Sequence, residues 1–314
     1  MTDTRLVWGA EALWDQLQPL LPGLSVEVVA SLPSTNTTLL ERARATAVAQ
    51  DAGDIAMVRR SVESGAFGRR AVDWQPCLLV AEHQTAGRGR MGHDWHAEPL
   101  ASLSFSLALP LQPPDWSGLS LAVGVALADA LDPVPDDTGV HRLALKWPND
   151  LWLRDTAEAA AGLGGRKLGG ILIETVATGA KRLAVIGIGL NVLPQAMLRP
   201  AEASSGVACL QELRPEVSAP LALAQLALPL VQALLRFERE GLAPFMAGFA
   251  ARDLLRDRLV STTRADVPEG IARGVGDDGS LSLETARGRV QLHSGEVSVR
   301  PRGSAPDGST EPAC

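Results

Sequence analysis

Two arginines alternate with glycines in the stretch Gly87-Arg88-Gly89-Arg90, directly after the apolar run Cys77 to Ala81. A buried strand is therefore expected to open into a cationic loop. Arginine carries a permanent charge on a planar fork that matches carboxylate and phosphate, so the expected ligand is an anion. A solvated basic turn is the plainer alternative. The spacing Gly87-x-Gly89-x-x-Gly92 also matches a dinucleotide fingerprint, but that motif works only where the glycines open a helix. Here His93, Asp94, Trp95, His96 and Pro99 follow, and Leu103 to Leu109 then alternates apolar with small polar residues, as a strand does. The glycines free a loop instead of starting a helix.

Further charges stand downstream. A strand expected over His141 to Leu145 feeds Lys146-Trp147-Pro148-Asn149-Asp150, where Pro148 breaks the ladder before a new strand at Leu151. A lysine, an amide and a carboxylate are clustered at that kink, although a tight turn with Asn149 and Asp150 bonded to their own backbone reads equally from the residues. Lys167 opens a strand through Ile173 with Gly169 and Gly170 inside it, and glycine in a strand marks close approach of a ligand or another backbone. A surface lysine is the alternative there. Leu183 to Leu190 repeats the device with Gly187 and Gly189 and ends at Asn191. Upstream, Ser34-Thr35-Asn36-Thr37 joins a strand over Ser25 to Leu32 to a helix over Thr37 to Ala49, whose N-terminus these side chains can cap. His83, His93 and His96 flank the glycine loop without a convincing set of metal ligands.

These residues need a scaffold, and 314 residues with 46% hydrophobic content provide one sizeable domain and a small one. Helices are expected over Ala10 to Leu21, Leu119 to Leu131, Pro220 to Gly241 and Leu242 to Asp253. The apolar window Val217 to Leu235 is punctuated by Pro220, Gln225, Pro229 and Gln232, so it reads as a buried helix and not as a membrane span. After Asp257 short strand-like runs, Leu259 to Ser261, Gly270 to Val275, Leu281 to Thr285 and Arg289 to Leu292, alternate with turn residues and suggest a small antiparallel barrel. The stretches Asp51 to Gln75 and Asp155 to Arg166 read as inserted loops, and 302–314 as a disordered tail. A formal charge of −7 argues against nucleic-acid or anionic-membrane surfaces. Three dispersed cysteines and an N-terminus without an apolar signal core point to the reducing cytoplasm.

Taken in order, Gly87-Arg88-Gly89-Arg90 with Trp95, Lys146-Trp147-Pro148-Asn149-Asp150, Lys167-Leu168-Gly169-Gly170-Ile171-Leu172 and Gly187-Ile188-Gly189-Leu190-Asn191 resemble the motifs of biotin protein ligases. The resemblance runs from about Ser34 to Arg300. It implies an α+β fold, a mixed β-sheet with packed helices of the class II synthetase and biotin-lipoate ligase kind over residues 1–255, followed by an SH3-like β-barrel over 256–301. With only thirty-three residues before Ser34, the chain looks like the short enzymatic form without an N-terminal DNA-binding domain.

The same resemblance implies ATP-dependent ligation of biotin to a lysine of a biotin carboxyl carrier domain through a biotinyl-5′-AMP intermediate. Its cofactors would be ATP, biotin and magnesium, and its partner the carrier domain of a carboxylase, with a homodimer left open. Arg88 and Lys167 would hold the carboxylate, Arg90 would steer the triphosphate, and Lys146 would contact phosphate or the acyl oxygen. Ser34, Thr35 and Asn36 would line the slot for the ureido ring, with Gln84 and Gly87 in the same wall. Gly89, Gly169 and Gly170 would give the ligands backbone access, Trp95 would lie near the adenylate, and Asn149, Asp150 and Asn191 would border the nucleotide. Asp150 is a candidate base for the acceptor lysine or, alternatively, a magnesium ligand. Met91 and His93 stand where the family often has basic residues, so this loop carries less charge. A lipoate or octanoate ligase on the same fold, and a non-catalytic biotin-sensing DNA-binding repressor, are the competing readings.

Overall fold

The computed structural model describes residues 6–51, 74–135, 139–155, 164–178, 181–195, 206–293 and 299–301. Most of the insertion expected between Asp51 and Gln75, the centre of the loop between Asp155 and Arg166, and the tail from 302 lie outside the described residues.

A seven-stranded mixed sheet has the order β1-β2-β3-β7-β6-β5-β4. Its strands are β1 (Ser25–Leu32), β2 (Cys77–Gln84), β3 (Ser102–Pro110), β4 (Leu143–Lys146), β5 (Asp150–Leu153), β6 (Arg166–Thr178) and β7 (Lys181–Asn191). Only β1 and β2 are parallel; every other neighbouring pair is antiparallel. The helices are α1 (Ala10–Leu17), α2 (Thr35–Asp51), α3 (Leu119–Leu131), α4 (Ala219–Glu240) and α5 (Met246–Arg252). Helix α5 is shorter than the element expected over Leu242 to Asp253, because Pro244 confines the start to a 3₁₀ turn over Ala243–Phe245. Helix α4 is long and apolar enough to cross a membrane by length and composition, yet Leu223, Leu226, Leu230, Leu234 and Phe237 are buried in the main core.

Strand β3 shows how the sequence divides the two faces. Leu103, Phe105, Leu107 and Leu109 join the core built with α1, α3 and α4, while Ser102, Ser104, Ser106 and Ala108 point to the other face. On that second face the ladder aligns Ser104 with Gly189 and Ser106 with Gly187, and β6 then aligns Gly170 with Gly189 and Leu172 with Gly187. One register row continues outward, Gly170 opposite Asp150 and Asp150 opposite Lys146. Small residues on three central strands thus leave a hollow, and charged residues on the two outer strands stand beside it.

The second unit is a five-stranded antiparallel sheet of order β11-β10-β9-β8-β12, formed by β8 (Leu259–Thr262), β9 (Glu269–Val275), β10 (Leu281–Thr285), β11 (Gly288–Leu292) and β12 (Val299–Pro301). Strand β12 is too short to carry a readable alternation and was not expected from the sequence; it is held by pairing with β8. A buried bond joins the two units: Trp147 Nε1 donates to the Gly279 carbonyl at 3.0 Å. In the connection between them, Leu254 N–H donates to the Leu145 carbonyl at 2.9 Å. Arg252 is almost fully buried, donating to the Asp132 carboxylate and carbonyl and to Leu143 O, which ties α5 to the end of α3 and to β4.

Candidate active site

The hollow is a cavity of about 380 Å³, within the range of small-molecule sites. Its lining includes Ser34, Thr35, Asn36, Gln84, Arg88, Gly89, Arg90, Trp95, Lys146, Asn149, Asp150, Lys167 and Gly170, drawn from five separate stretches of chain. Val299 of β12 reaches the same cavity from the second sheet.

At one end lies a neutral, hydrogen-bonded wall. Thr35 donates to Gln84 Oε1 through its backbone N–H at 2.8 Å and its hydroxyl at 3.1 Å. Ser106 Oγ sits 2.6 Å from both Thr35 Oγ1 and Asn36 Oδ1. Asn36 Nδ2 donates to Leu172 O and to Glu174 Oε2, each at 3.1 Å. Ser34 Oγ accepts Thr37 N–H, so this residue caps α2 while it also lines the cavity. Gly187 and Gly189 are required here: a Cβ on the first would overlap the Asn36 amide, and on the second the Trp95 indole.

The glycine-arginine stretch is a tight hairpin and not an open loop. Gly89 N–H donates to His93 O and Trp95 N–H to Gly87 O, with the backbones of Arg88 and Asp94 paired as an antiparallel β-bridge. Met91 turns the chain with φ of 54°. From this hairpin Arg88 donates to Thr37 Oγ1 at 3.2 Å and to Glu174 Oε1 at 3.3 Å, and Arg90 donates to Asn149 Oδ1 at 3.1 Å. Asn149 in turn donates to Ile171 O at 2.8 Å, so its amide links β6 to the arginine hairpin instead of closing its own turn.

The other end is ionic. Lys167 Nζ lies 2.8 Å from Asp150 Oδ1, and Lys146 Nζ lies 3.6 Å from Asp150 Oδ2 and 5.6 Å from the centre of the Trp152 ring. Burial alone would push the Asp150 carboxyl up, but the Lys167 and Lys146 ammonium groups outweigh it and hold it below the usual carboxylate range. Asp150 is therefore an anion at neutral pH and a weak proton acceptor. Burial lowers the Arg90 guanidinium, with Asp150 opposing, and the group stays charged. Among the described residues no cluster of three His, Cys, Asp or Glu could hold a metal ion. With both Asp150 oxygens facing ammonium groups, the side chains do not fit a resident magnesium ion at this carboxylate.

Three expected site residues do not line the cavity. Gly87 supports the hairpin, where a Cβ would overlap the Trp95 carbonyl. Gly169 clears Leu190 and the Gly189 carbonyl. Asn191 is buried with its amide already used, donating to Ala208 O at 3.1 Å and accepting from Gln195 at 2.7 Å. Conversely, Ser106 and Glu174 are not singled out by the sequence, and Thr37 reads there only as part of a helix cap. Alternation from Gly170 through Leu172 would have put Glu174 on the cavity face, but only the folded register shows that Asn36 and Arg88 meet it.

The chain that builds this cavity is similar to known proteins. Residues 71–191 match the biotin/lipoate A/B protein ligase family, and residues 260–300 match the biotin protein ligase C terminal domain. The biotin–[acetyl-CoA-carboxylase] ligase of Mycobacterium tuberculosis is 32% identical over 303 residues, covering 92% of this chain and 91% of that protein. The chain belongs to the biotin protein ligase family. The bifunctional ligase/repressor BirA of Salmonella typhimurium is 37% identical over 227 residues, 70% of this chain, which spans about two thirds of that relative's length. A biotin protein ligase from Aquifex aeolicus, solved in complex with biotin and ATP, superposes with a TM-score of 0.63 at 22% identity, covering 88% of this chain and 99% of that one. That likeness supports the ligase fold, a mixed sheet with packed helices followed by the small antiparallel unit.

Proposed function

We propose that the chain joins the carboxylate of biotin to the α-phosphate of ATP, giving biotinyl-5′-AMP and pyrophosphate, and then transfers the biotinyl group to a lysine of a biotin carboxyl carrier domain. The observation that carries this reading is the convergence of Arg88, Arg90, Lys146 and Lys167 on one cavity that the Thr35–Asn36–Gln84 wall also lines. A small polar ring on an apolar chain ending in a carboxylate matches such a slot, with the ring at the wall and the acid among the cations.

Two anions must meet in the first step, and fixed cations remove their repulsion. Lys167 and Arg88 are assigned to the acid group and then the acyl phosphate, and Arg90 and Lys146 to the phosphates. Asn149 orients Arg90 toward the nucleotide side. Asp150 holds both lysines at the reacting centre; magnesium would arrive with the nucleotide as its counter-ion and not as a resident ion on Asp150. In the second step the neutral acceptor amine attacks the acyl carbon, AMP leaves, and the amine proton passes to solvent or phosphate. Gly187 and Gly189 keep space for the substrate, and the Trp95 indole beside Gly189 covers it from water. Buried Cys77 and Cys209, neither in a disulfide, accord with a reducing cytoplasm.

Biotin-dependent exchange of labelled pyrophosphate into ATP tests the first step, with lipoate and octanoate as parallel substrates. Labelling of a purified carrier domain tests the second. Exchange driven by lipoate and not by biotin would transfer the reading to the sister activity, and no exchange with any of the three acids would overturn it.

A further inference from the structure

Glu174 lies two residues beyond Leu172 on the cavity face of β6, and both of its carboxylate oxygens are used. Oε2 accepts from Asn36 and Oε1 from Arg88. The consequence for Asn36 follows from the symmetry of an amide, whose oxygen and nitrogen exchange places by a half turn with almost no change of shape. Around Asn36 the half turn is forbidden electrostatically. Its nitrogen faces two groups that can only accept, the Leu172 carbonyl and the Glu174 carboxylate, while Ser106 Oγ stands 2.6 Å from its oxygen. Turned round, the amide would set oxygen against carbonyl and carboxylate with no proton between them. Asn36 is only 3% exposed, so water does not relieve the mismatch. The amide oxygen is thereby kept beside Gly187, at the cavity wall.

We infer that Glu174 is a positioning residue for head-group recognition: it locks Asn36 with its oxygen forward, so that the wall accepts from the N–H groups of the cyclic urea. This deepens the proposed function and rests on it. The same carboxylate also holds Arg88, and the two roles separate by substitution. Glu174→Leu removes the carboxylate acceptor and leaves the Asn36 nitrogen only the Leu172 carbonyl, whereas Glu174→Gln retains one side-chain acceptor oxygen for Asn36 and removes the charge facing Arg88.

The test is steady-state pyrophosphate exchange on the full chain, with biotin binding followed by calorimetry without ATP. For Glu174→Leu the KM and Kd for biotin should rise at least about tenfold, the cost of a buried polar group left mispaired, with KM for ATP and saturated kcat within about twofold. Glu174→Gln should remain within about threefold of the wild type in all constants. An unchanged biotin KM in Glu174→Leu overturns the inference. So does an equal loss in Glu174→Gln, which would assign the effect to the charge on Arg88. If neither Glu174→Leu nor Glu174→Ala folds, as judged by circular dichroism, Glu174 is a folding residue and the inference fails. Wild-type protein without biotin-dependent exchange overturns the proposed function along with it; normal wild-type exchange with unaltered variants overturns the role of Glu174 alone.

Discussion

Replacing Asp150 by Asn removes the anion between two lysines while keeping the side-chain shape. At an effective dielectric near 20, charges 2.8 and 3.6 Å apart attract by roughly 6 and 5 kcal/mol before desolvation is counted. The Lys167 side chain is 39% exposed, so screening and the cost of desolvating both partners remove most of that. A loss of about 2 to 3 kcal/mol of fixed cation placement remains, or roughly 30- to 160-fold in the adenylation rate constant. Rapid-quench measurement of biotinyl-adenylate formation, alongside transfer from preformed adenylate to the carrier domain, separates the two steps. Both should fall, adenylation at least as much as transfer, because the lysines serve the phosphate in each. Normal adenylate synthesis with slow transfer would refute this reasoning and make Asp150 the base. The titration agrees in sign: a carboxyl held below its unfolded value contributes stability that is complete above about pH 4 and is lost as pH falls through the folded value. Asp150 should therefore give no inflection in the rate profile between pH 5 and 9, where a base would titrate.

In Gly187→Ala the new methyl group collides with the Asn36 amide, so biotin KM should rise by more than about tenfold while the ATP KM changes little; equal effects on both substrates would count against the assigned wall. Trp147→Phe orphans the Gly279 carbonyl and should cost about 1–3 kcal/mol in chemical denaturation, with the first transition moving to lower denaturant. Asp253 is buried with Oδ2 unpartnered, and burial pushes its carboxyl up, its bond from Leu255 and nearby arginines opposing. A raised carboxyl lowers stability as pH climbs through the folded value, so Asp253→Asn should raise Tm at pH 7 to 8 and make little difference at pH 4. A lower Tm for this variant at pH 8 would show that the ionised form is needed.

Much of the scaffold was legible in the sequence because the burial pattern is written in residue types. The run Ser25 to Leu32 and the apolar stretch Leu119 to Leu131 coincide with β1 and α3, and β2, β3, β6 and β7 extend the expected strands by a few residues at their ends. Extension at strand ends comes from ladder hydrogen bonds, which a side-chain pattern does not encode. The helix expected from Leu242 began late, at Met246, because a 3₁₀ turn containing Pro244 replaced its first turn.

For the site, sequence by itself determined the inventory: an arginine-glycine stretch, two lysines each near a glycine or a kink, and small residues alternating in strands. Their types are local properties, so they survive being read one stretch at a time. Only the tertiary structure decided who meets whom. Gly170, Gly189 and Asp150 share a row because three strands happen to be in that register, and a shift of one residue would send each to the opposite face. The same folding turned Asn191 inward to Ala208, spent Asp150 on two lysines, and brought Glu174 to Asn36 from 138 residues away. Hydrogen bonds and ion pairs are set by distances of a few ångströms between segments remote in sequence, and those distances exist only after the sheet has closed.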